Sequence, residues 1–364
     1  MSRVLTASDH MDRALFLAAR GRGRTSPNPM VGAVIVSPDG LIVGQGYHVR
    51  AGEPHAEIHA LEMAGARARG ATMFCTLEPC CHVGRTGACV RRIVSAGIAR
   101  VVAAVEDPNP MVSGQGFAYL HEHGIHVDVG LGAEAATRLN QPFFTLVHEG
   151  RPFVILKAAT SIDGYVAEAP GRRTRLTSPA ADRHAHRVRA EVDAIGVGSG
   201  TMLVDDPQLT PRGAYRARPL MRVIFDRRLR TPPSAQLLST RAAGPVIIVT
   251  TADAAGRVDL RRPLEQRGAE IEVAADRSFR SALERLGARS IESLLLEGGA
   301  ALHAAAWDED LVDFVQLYVT PAALGPGGVP FLAGRSFSSA ELIEGRVEPL
   351  GDDVLIEGYV HRPR

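Results

Sequence analysis

Four cysteines, Cys75, Cys80, Cys81 and Cys89, crowd into one short stretch, and the rest of the chain has none. Disulfide frameworks spread their crosslinks, and a bridge between adjacent Cys80 and Cys81 would be strained. The clustering predicts metal ligands in a reducing cytoplasm. Upstream, His55-Ala56-Glu57 supplies an imidazole and a carboxylate. A catalytic zinc site takes three protein ligands and keeps one position open for water. His55, Cys80 and Cys89 can be those three, leaving Glu57 beside the metal as a proton shuttle. Zinc deaminases use this logic, H-x-E followed by P-C-x-x-C. Pro79-Cys80 starts the second half as that pattern does, but the interval to Cys89 is longer. A closed site of His55 plus three thiols is the alternative, and it would leave Glu57 without a role. Cys75 sits in a strand pattern and reads as a small buried residue. Cys81 is expected to point away from the metal.

A chain of 364 residues exceeds the size at which one core keeps growing, which predicts two domains. The boundary is Glu149-Gly150-Arg151-Pro152, giving domains 1–148 and 152–364. The first opens with a capping box at Thr6–Asp9 ahead of Met11, Ala14, Leu15 and Ala18 on a helical period. Pro38-Asp39-Gly40 joins strands over 31–36 and 41–47 in a hairpin. Helices over 55–68, 88–96, 114–123 and 134–147 alternate with strands over 71–76, 100–105 and 125–129. That alternation predicts a three-layer α/β sandwich. The second domain repeats the alternation, with strands over 153–158, 194–197, 220–225, 246–250, 293–297, 313–319 and 354–359. A capped helix in TSPAADRHAHRVRAEVD and another around 300–307 accompany them, while 232–236 and 325–330 read as loops.

Glycine-rich turns follow two of these strands, at Gly196–Thr201 and Glu297–Ala300. Neither is the Rossmann fingerprint. Each is either a structural turn or a place where exposed N–H groups bind phosphate. Asp205-Asp206-Pro207, with Leu209, Thr210 and Arg212 beyond, can put a carboxylate, a hydroxyl and a guanidinium on one loop. Near the metal stretch, Asn28 lies between two prolines, His48 ends the second strand, and His82 and Arg85 lie in the loop after Cys81. All four are otherwise solvated loop residues. A net charge of +1 and 5% aromatic residues argue against a nucleic-acid-editing deaminase, which would present a basic face with interleaved aromatics. A binding module on a decayed deaminase scaffold would lack Glu57, Cys80 or Cys89, and all are present. The amphipathic start reads as structure instead of a signal peptide, and no apolar run reaches membrane length.

The segments NPMVGAVIV, GYHVRAGEPHAEIHAL, TLEPCCHVGRTGAC and EDPNPMVSGQG resemble the deaminase half of the bifunctional riboflavin-biosynthesis family, RibD. LKAATSIDGYVA, GSGTMLVDDPQLTPR and LLEGGAAL resemble its reductase half. The resemblance covers almost the full chain. It implies a cytidine-deaminase-like N-terminal domain and a C-terminal domain with a dihydrofolate-reductase-like α/β fold. One Zn2+ per chain would be held by His55, Cys80 and Cys89, with Glu57 the catalytic acid–base. The long thiol interval is ordinary there. Asn28, His48, His82 and Arg85 match positions around the deaminase substrate. In the reductase half, NADPH is the implied cofactor, contacted at Ala159, Thr201 and Asp205. The run Gly299, Ala300, Ala301, Leu302, His303, Ala304 and Ala305 matches the segment that holds its phosphates. Lys157, Arg189, Leu209, Arg212 and Glu297 match substrate positions.

The implied enzyme is cytoplasmic and acts on a small phosphorylated pyrimidine, with a homo-oligomer, a dimer or tetramer, as the expected assembly. Three departures from the family pattern stand out. Thr86-Gly87-Ala88 precedes the last ligand where T-P-P is usual. Arg173-Thr174-Arg175 replaces a segment with serine and tryptophan, and Arg227 replaces serine or threonine.

Overall fold

The computed structural model describes residues 5–81, 88–332, 334–335 and 337–362. The chain divides into two compact units at His148/Glu149.

The first unit opens with α1 (Ala7–Ala19), whose N-terminus is closed reciprocally. Thr6 Oγ1 accepts the Asp9 N–H at 3.2 Å, and Asp9 Oδ2 accepts the Thr6 N–H at 2.8 Å. β1 (Gly32–Val36) and β2 (Ile42–Tyr47) form the hairpin, with Gly40 at φ +84° supplying the left-handed turn. Then come α2 (Ala56–Ala64), β3 (Thr72–Cys75), α3 (Cys89–Ala96), β4 (Arg100–Ala103), α4 (Gln115–Glu122), β5 (His126–Val129), α5 (Ala133–Leu139) and α6 (Gln141–Glu149). The sheet runs β2-β1-β3-β4-β5, antiparallel at β1 and parallel from β3 to β5. Successive strand residues point to opposite faces. Ile35, Met73 and Val101 therefore join one core with Leu61, Ile93 and Leu120, while Val34, Phe74 and Val102 join a second with Met11, Ala14 and Leu17. Three layers result. α2 presses close onto β2: a Cβ on Gly46 would lie 2.5 Å from His59 Cβ and 2.7 Å from the Ala56 carbonyl. That approach fixes the helix that begins just after His55.

Two predicted helices are broken. The helix expected over 55–68 stops at Ala64, because Gly65 turns to φ +54° before a short 3-10 turn. The helix expected over 134–147 is two helices hinged at Asn140. Its buried amide donates to the Met30 carbonyl at 2.9 Å and accepts the Met30 N–H at 2.7 Å, and Pro142 cannot continue the ladder.

The second unit contains β6 (Phe153–Ser161), β7 (Tyr165–Ala167), α7 (Pro179–Glu191), β8 (Ala194–Gly198), α8 (Ser199–Asp205), β9 (Met221–Phe225), α9 (Gln236–Ser239), β10 (Val246–Thr250), α10 (Ala252–Ala255) and α11 (Val258–Gln266). It continues with β11 (Ala269–Val273), α12 (Phe279–Gly287), β12 (Ser293–Leu296), α13 (Ala300–Asp308), β13 (Phe314–Thr320), β14 (Val329–Pro330), β15 (Ile343–Leu350) and β16 (Asp353–Tyr359). Its main sheet runs β11-β10-β9-β8-β12-β6-β13-β16-β15, parallel except where β16 meets β13 and β15. Val154, Leu156 and Leu294 pack under α12, and Ile195, Val197 and Leu295 pack on the other face with Met202 and Leu238. Both edge strands escaped sequence reading. β11 is Ala-Glu-Ile-Glu-Val, and β15 is almost wholly exposed and carries Pro349, so neither shows a buried apolar run. α8 was hidden inside a glycine-rich segment that reads as a turn. Among the described residues, no helix is long and apolar enough to cross a membrane.

Candidate active sites

His55 is the N-cap residue of α2, Cys80 precedes the 82–87 segment, and Cys89 is the first residue of α3. One ligand atom from each lies within 4.8 Å of the others. His55 Nδ1 is 3.5 Å from Cys80 Sγ and 3.3 Å from Cys89 Sγ. Cys80 Sγ also accepts the Cys89 N–H at 3.5 Å. The hydrogen bond from Cys89 holds the Cys80 thiol down at about 4, and the Cys80 sulfur raises Cys89 in return. The bond to Cys80 outweighs burial and raises His55 to about 9. The trio is thus a thiolate beside an imidazolium and a second thiol, a nitrogen and sulfur donor set of the kind that suits zinc.

Glu57 lies in the first turn of α2, 3% exposed, and its Oε2 has no hydrogen-bond partner. Burial raises its carboxyl, and His55 works against that. An orphaned carboxylate oxygen next to three converging donors fits a metal that keeps a position for water. Cys81 faces elsewhere, with Sγ 3.9 Å from the Met111 carbonyl and 3.8 Å from Gln115 Oε1. Cys75 is buried in β3. His48 Nδ1 is 3.2 Å from the Pro54 carbonyl, so that nitrogen carries the proton and Nε2 accepts from Asn28 Nδ2 at 3.1 Å. The His48 and His55 rings meet edge-on at 5.3 Å. Asn28 and His48 therefore stand beside the donor trio. His82 and Arg85 lie outside the described residues.

In the second unit the two glycine-rich segments meet. Gly198 N–H donates to the Gly298 carbonyl at 2.8 Å, and a Cβ on Gly299 would lie 3.2 Å from Thr201 Oγ1. Gly298 has φ +111°, open to glycine but not to larger residues. Gly299 caps α13, whose first N–H groups have no intrahelical partners, a cradle that fits the phosphates of a dinucleotide. On that helix Ala301 is exposed, Gly299, Ala300, Leu302 and Ala305 are half-buried, and His303 and Ala304 face the core. His303 Nε2 donates to the Leu296 carbonyl at 3.2 Å, and burial holds the ring down at about 4.

Glu297, at the end of β12, accepts from Arg189 Nε at 2.7 Å and Nη2 at 2.6 Å. Burial pushes the Glu297 carboxyl up, but Arg189 and then Lys157 outweigh it and hold it at about 2. Lys157 Nζ lies 5.3 Å from the Tyr318 ring centre, and burial lowers its pKa. Ala159 pairs with Tyr318 across β6 and β13. Asp205 ends α8, where burial raises it and Arg173 acts to lower it. Leu209 is buried with φ +53°. Arg175 pairs with Asp182 at 3.0 Å on the surface, and Arg227 is exposed. His186, unremarked in the sequence, contacts Arg212 from α7. Its spacing three residues before Arg189 was the signal that could have found it.

Residues 5–105 match the cytidine and deoxycytidylate deaminase zinc-binding region, and residues 152–356 match the RibD C-terminal domain. The riboflavin biosynthesis protein RibD of Aquifex aeolicus is 39% identical over 350 residues, covering 96% of this chain and 97% of that protein. Acinetobacter baumannii RibD has a similar structure, with a TM-score of 0.85 and 34% identity over 96% of this chain and 97% of that one. The Thermotoga maritima diaminohydroxyphosphoribosylaminopyrimidine deaminase/5-amino-6-(5-phosphoribosylamino)uracil reductase superposes with a TM-score of 0.83 at 34% identity, covering 98% of both chains.

Proposed function

The chain belongs to the RibD family of riboflavin-biosynthesis proteins, and on that premise we propose that it catalyses two consecutive steps on one phosphorylated pyrimidine. The first is hydrolytic deamination of 2,5-diamino-6-(5-phosphoribosylamino)pyrimidin-4(3H)-one to 5-amino-6-(5-phosphoribosylamino)uracil, releasing ammonia. The second is NADPH-dependent reduction of the ribosyl group to the ribityl phosphate. The observation that carries the reading is the convergence of His55, Cys80 and Cys89 beside the unpartnered Glu57 oxygen.

In the deaminase unit, His55, Cys80 and Cys89 would hold zinc, which when bound supplies the Lewis acidity that makes water a usable nucleophile at neutral pH. Glu57 takes a proton from the attacking water, delivers it to the ring nitrogen, and then protonates the departing amine. Its buried position keeps it available for both directions, since burial raises a carboxyl towards working pH. Asn28, its amide N–H held by His48, leaves its carbonyl oxygen to accept from the pyrimidine edge.

In the reductase unit, NADPH supplies the hydride, which goes to C1 of the open-chain form of the ribosylamino group. Glycine and α13 N–H groups around Gly299 hold the cofactor's phosphates. Thr201, Asp205 and Ala159 line its path. Glu297 and Lys157 hold the sugar, with Arg189 keeping Glu297 ionised.

Full-length protein given the diaminopyrimidine phosphate should release ammonia without NADPH and oxidise NADPH only after ammonia has appeared. NADPH oxidation with no preceding ammonia would reverse the order, and no ammonia at all would remove the deaminase assignment. The purified chain should also carry about one zinc, the open-site stoichiometry of three protein ligands. Elemental analysis of the Cys80→Ser, Cys89→Ser double variant should find it lost, and full retention would contradict the donor set.

A further inference from the structure

A phosphorylated substrate needs donors that are not already committed. Arg189 is committed, with two nitrogens on Glu297 and Nη1 on the Thr210 carbonyl at 3.1 Å. Arg212 has no carboxylate partner among the described residues. What it meets instead is His186. The Arg212 backbone N–H donates to His186 Nδ1 at 3.2 Å, and Arg212 Nη2 lies 3.4 Å from His186 Nε2.

An imidazole that accepts at Nδ1 carries its proton on Nε2 when neutral. Burial, then the charges of Arg189 and Arg212, keep His186 neutral. Its Nε2–H and the Arg212 Nη2–H groups are therefore two donors 3.4 Å apart with no acceptor between them. Donors so placed repel unless an oxygen anion spans them, and the several oxygens of a phosphate are suited to that. His186 and Arg189 lie three positions apart on α7, hence on one face, so the vacant donors stand beside the Glu297 end of β12.

We propose that His186 is a specificity-determining residue of the reductase site, which with Arg212 clamps the 5-phosphate of the substrate. This rests on the reductase reading above. Arg189 orients Glu297, and the His186–Arg212 pair selects phosphorylated over unphosphorylated sugars.

The test uses full-length protein and the aminouracil ribosyl compound with and without its 5-phosphate. His186→Asn keeps an acceptor near the Nδ1 position, so the Arg212 backbone stays held, but it lacks the Nε2–H. A lost charge-assisted hydrogen bond should raise KM for the phosphorylated compound about tenfold. KM for the unphosphorylated compound and kcat for both should stay near wild type. His186→Gln carries an amide N–H near the Nε2 position and should recover most of the loss. Inorganic phosphate should compete with the phosphorylated compound in wild type and less well in His186→Asn. An unchanged KM in His186→Asn, or an equal rise for both compounds, overturns the assignment. A wild type that oxidises NADPH with neither compound overturns the reductase reading itself, and the clamp with it.

Discussion

Glu57→Gln should keep its zinc and lose ammonia release by roughly 10²–10⁴-fold, the usual worth of a positioned general acid–base. Glutamine has the same shape, so α2 and the three donor atoms at its N-terminal end are undisturbed. It cannot accept and return a proton. The native carboxylate is well placed for that task, being 3% exposed with one oxygen free of partners. A fall of that size corresponds to about 3–5 kcal/mol of transition-state stabilisation. Ammonia release and zinc content should be measured on the same preparation. Wild-type rates from the zinc-loaded variant would remove the shuttle role, whereas loss of zinc would make Glu57 part of the donor set.

Glu297→Gln should destabilise the second unit by ~3 kcal/mol at neutral pH. Breaking a buried pair by removing one partner leaves the other charge uncompensated, at a cost of about 3–5 kcal/mol. The pKa gives a similar figure. A carboxyl near 4.5 when unfolded and about 2 when folded contributes roughly 3 kcal/mol where both states are ionised. The sign follows from the depressed folded value. The contribution is fully present above the unfolded pKa and disappears as pH falls from about 4.5 through about 2. The gap between wild type and variant should therefore close over that window. Trp307, the only tryptophan, lies on α13 and reports unfolding of this unit by fluorescence. A gap that does not change with pH would mean that Glu297 is not held by charge. Reduction should suffer in the same variant while ammonia release persists, because the deaminase donors all lie in the first unit.

Much of this molecule is legible from the sequence because its signals are local. The capping box at Thr6–Asp9, the hairpin at Gly40 and the Ser178 cap of α7 each involve neighbours within a few residues. The metal donors are legible too, since a histidine, two thiols and a spare carboxylate in one stretch have few joint uses. Alternation of apolar strands with helices was enough to assign the α/β class of both units. Only tertiary structure decided the rest, for one reason: its determinants are far apart in the chain. Asn140 breaks a helix to hold the backbone of Met30, 110 residues away. Arg189 and Glu297 are separated by 108 positions. Neither glycine-rich segment shows on its own that Gly198 would meet Gly298. Residue type and spacing along the chain establish which chemistry is available. Which donors are consumed by partners, as at Arg189, and which remain vacant, as at His186 and Arg212, depends on long-range pairing that only the folded chain brings about.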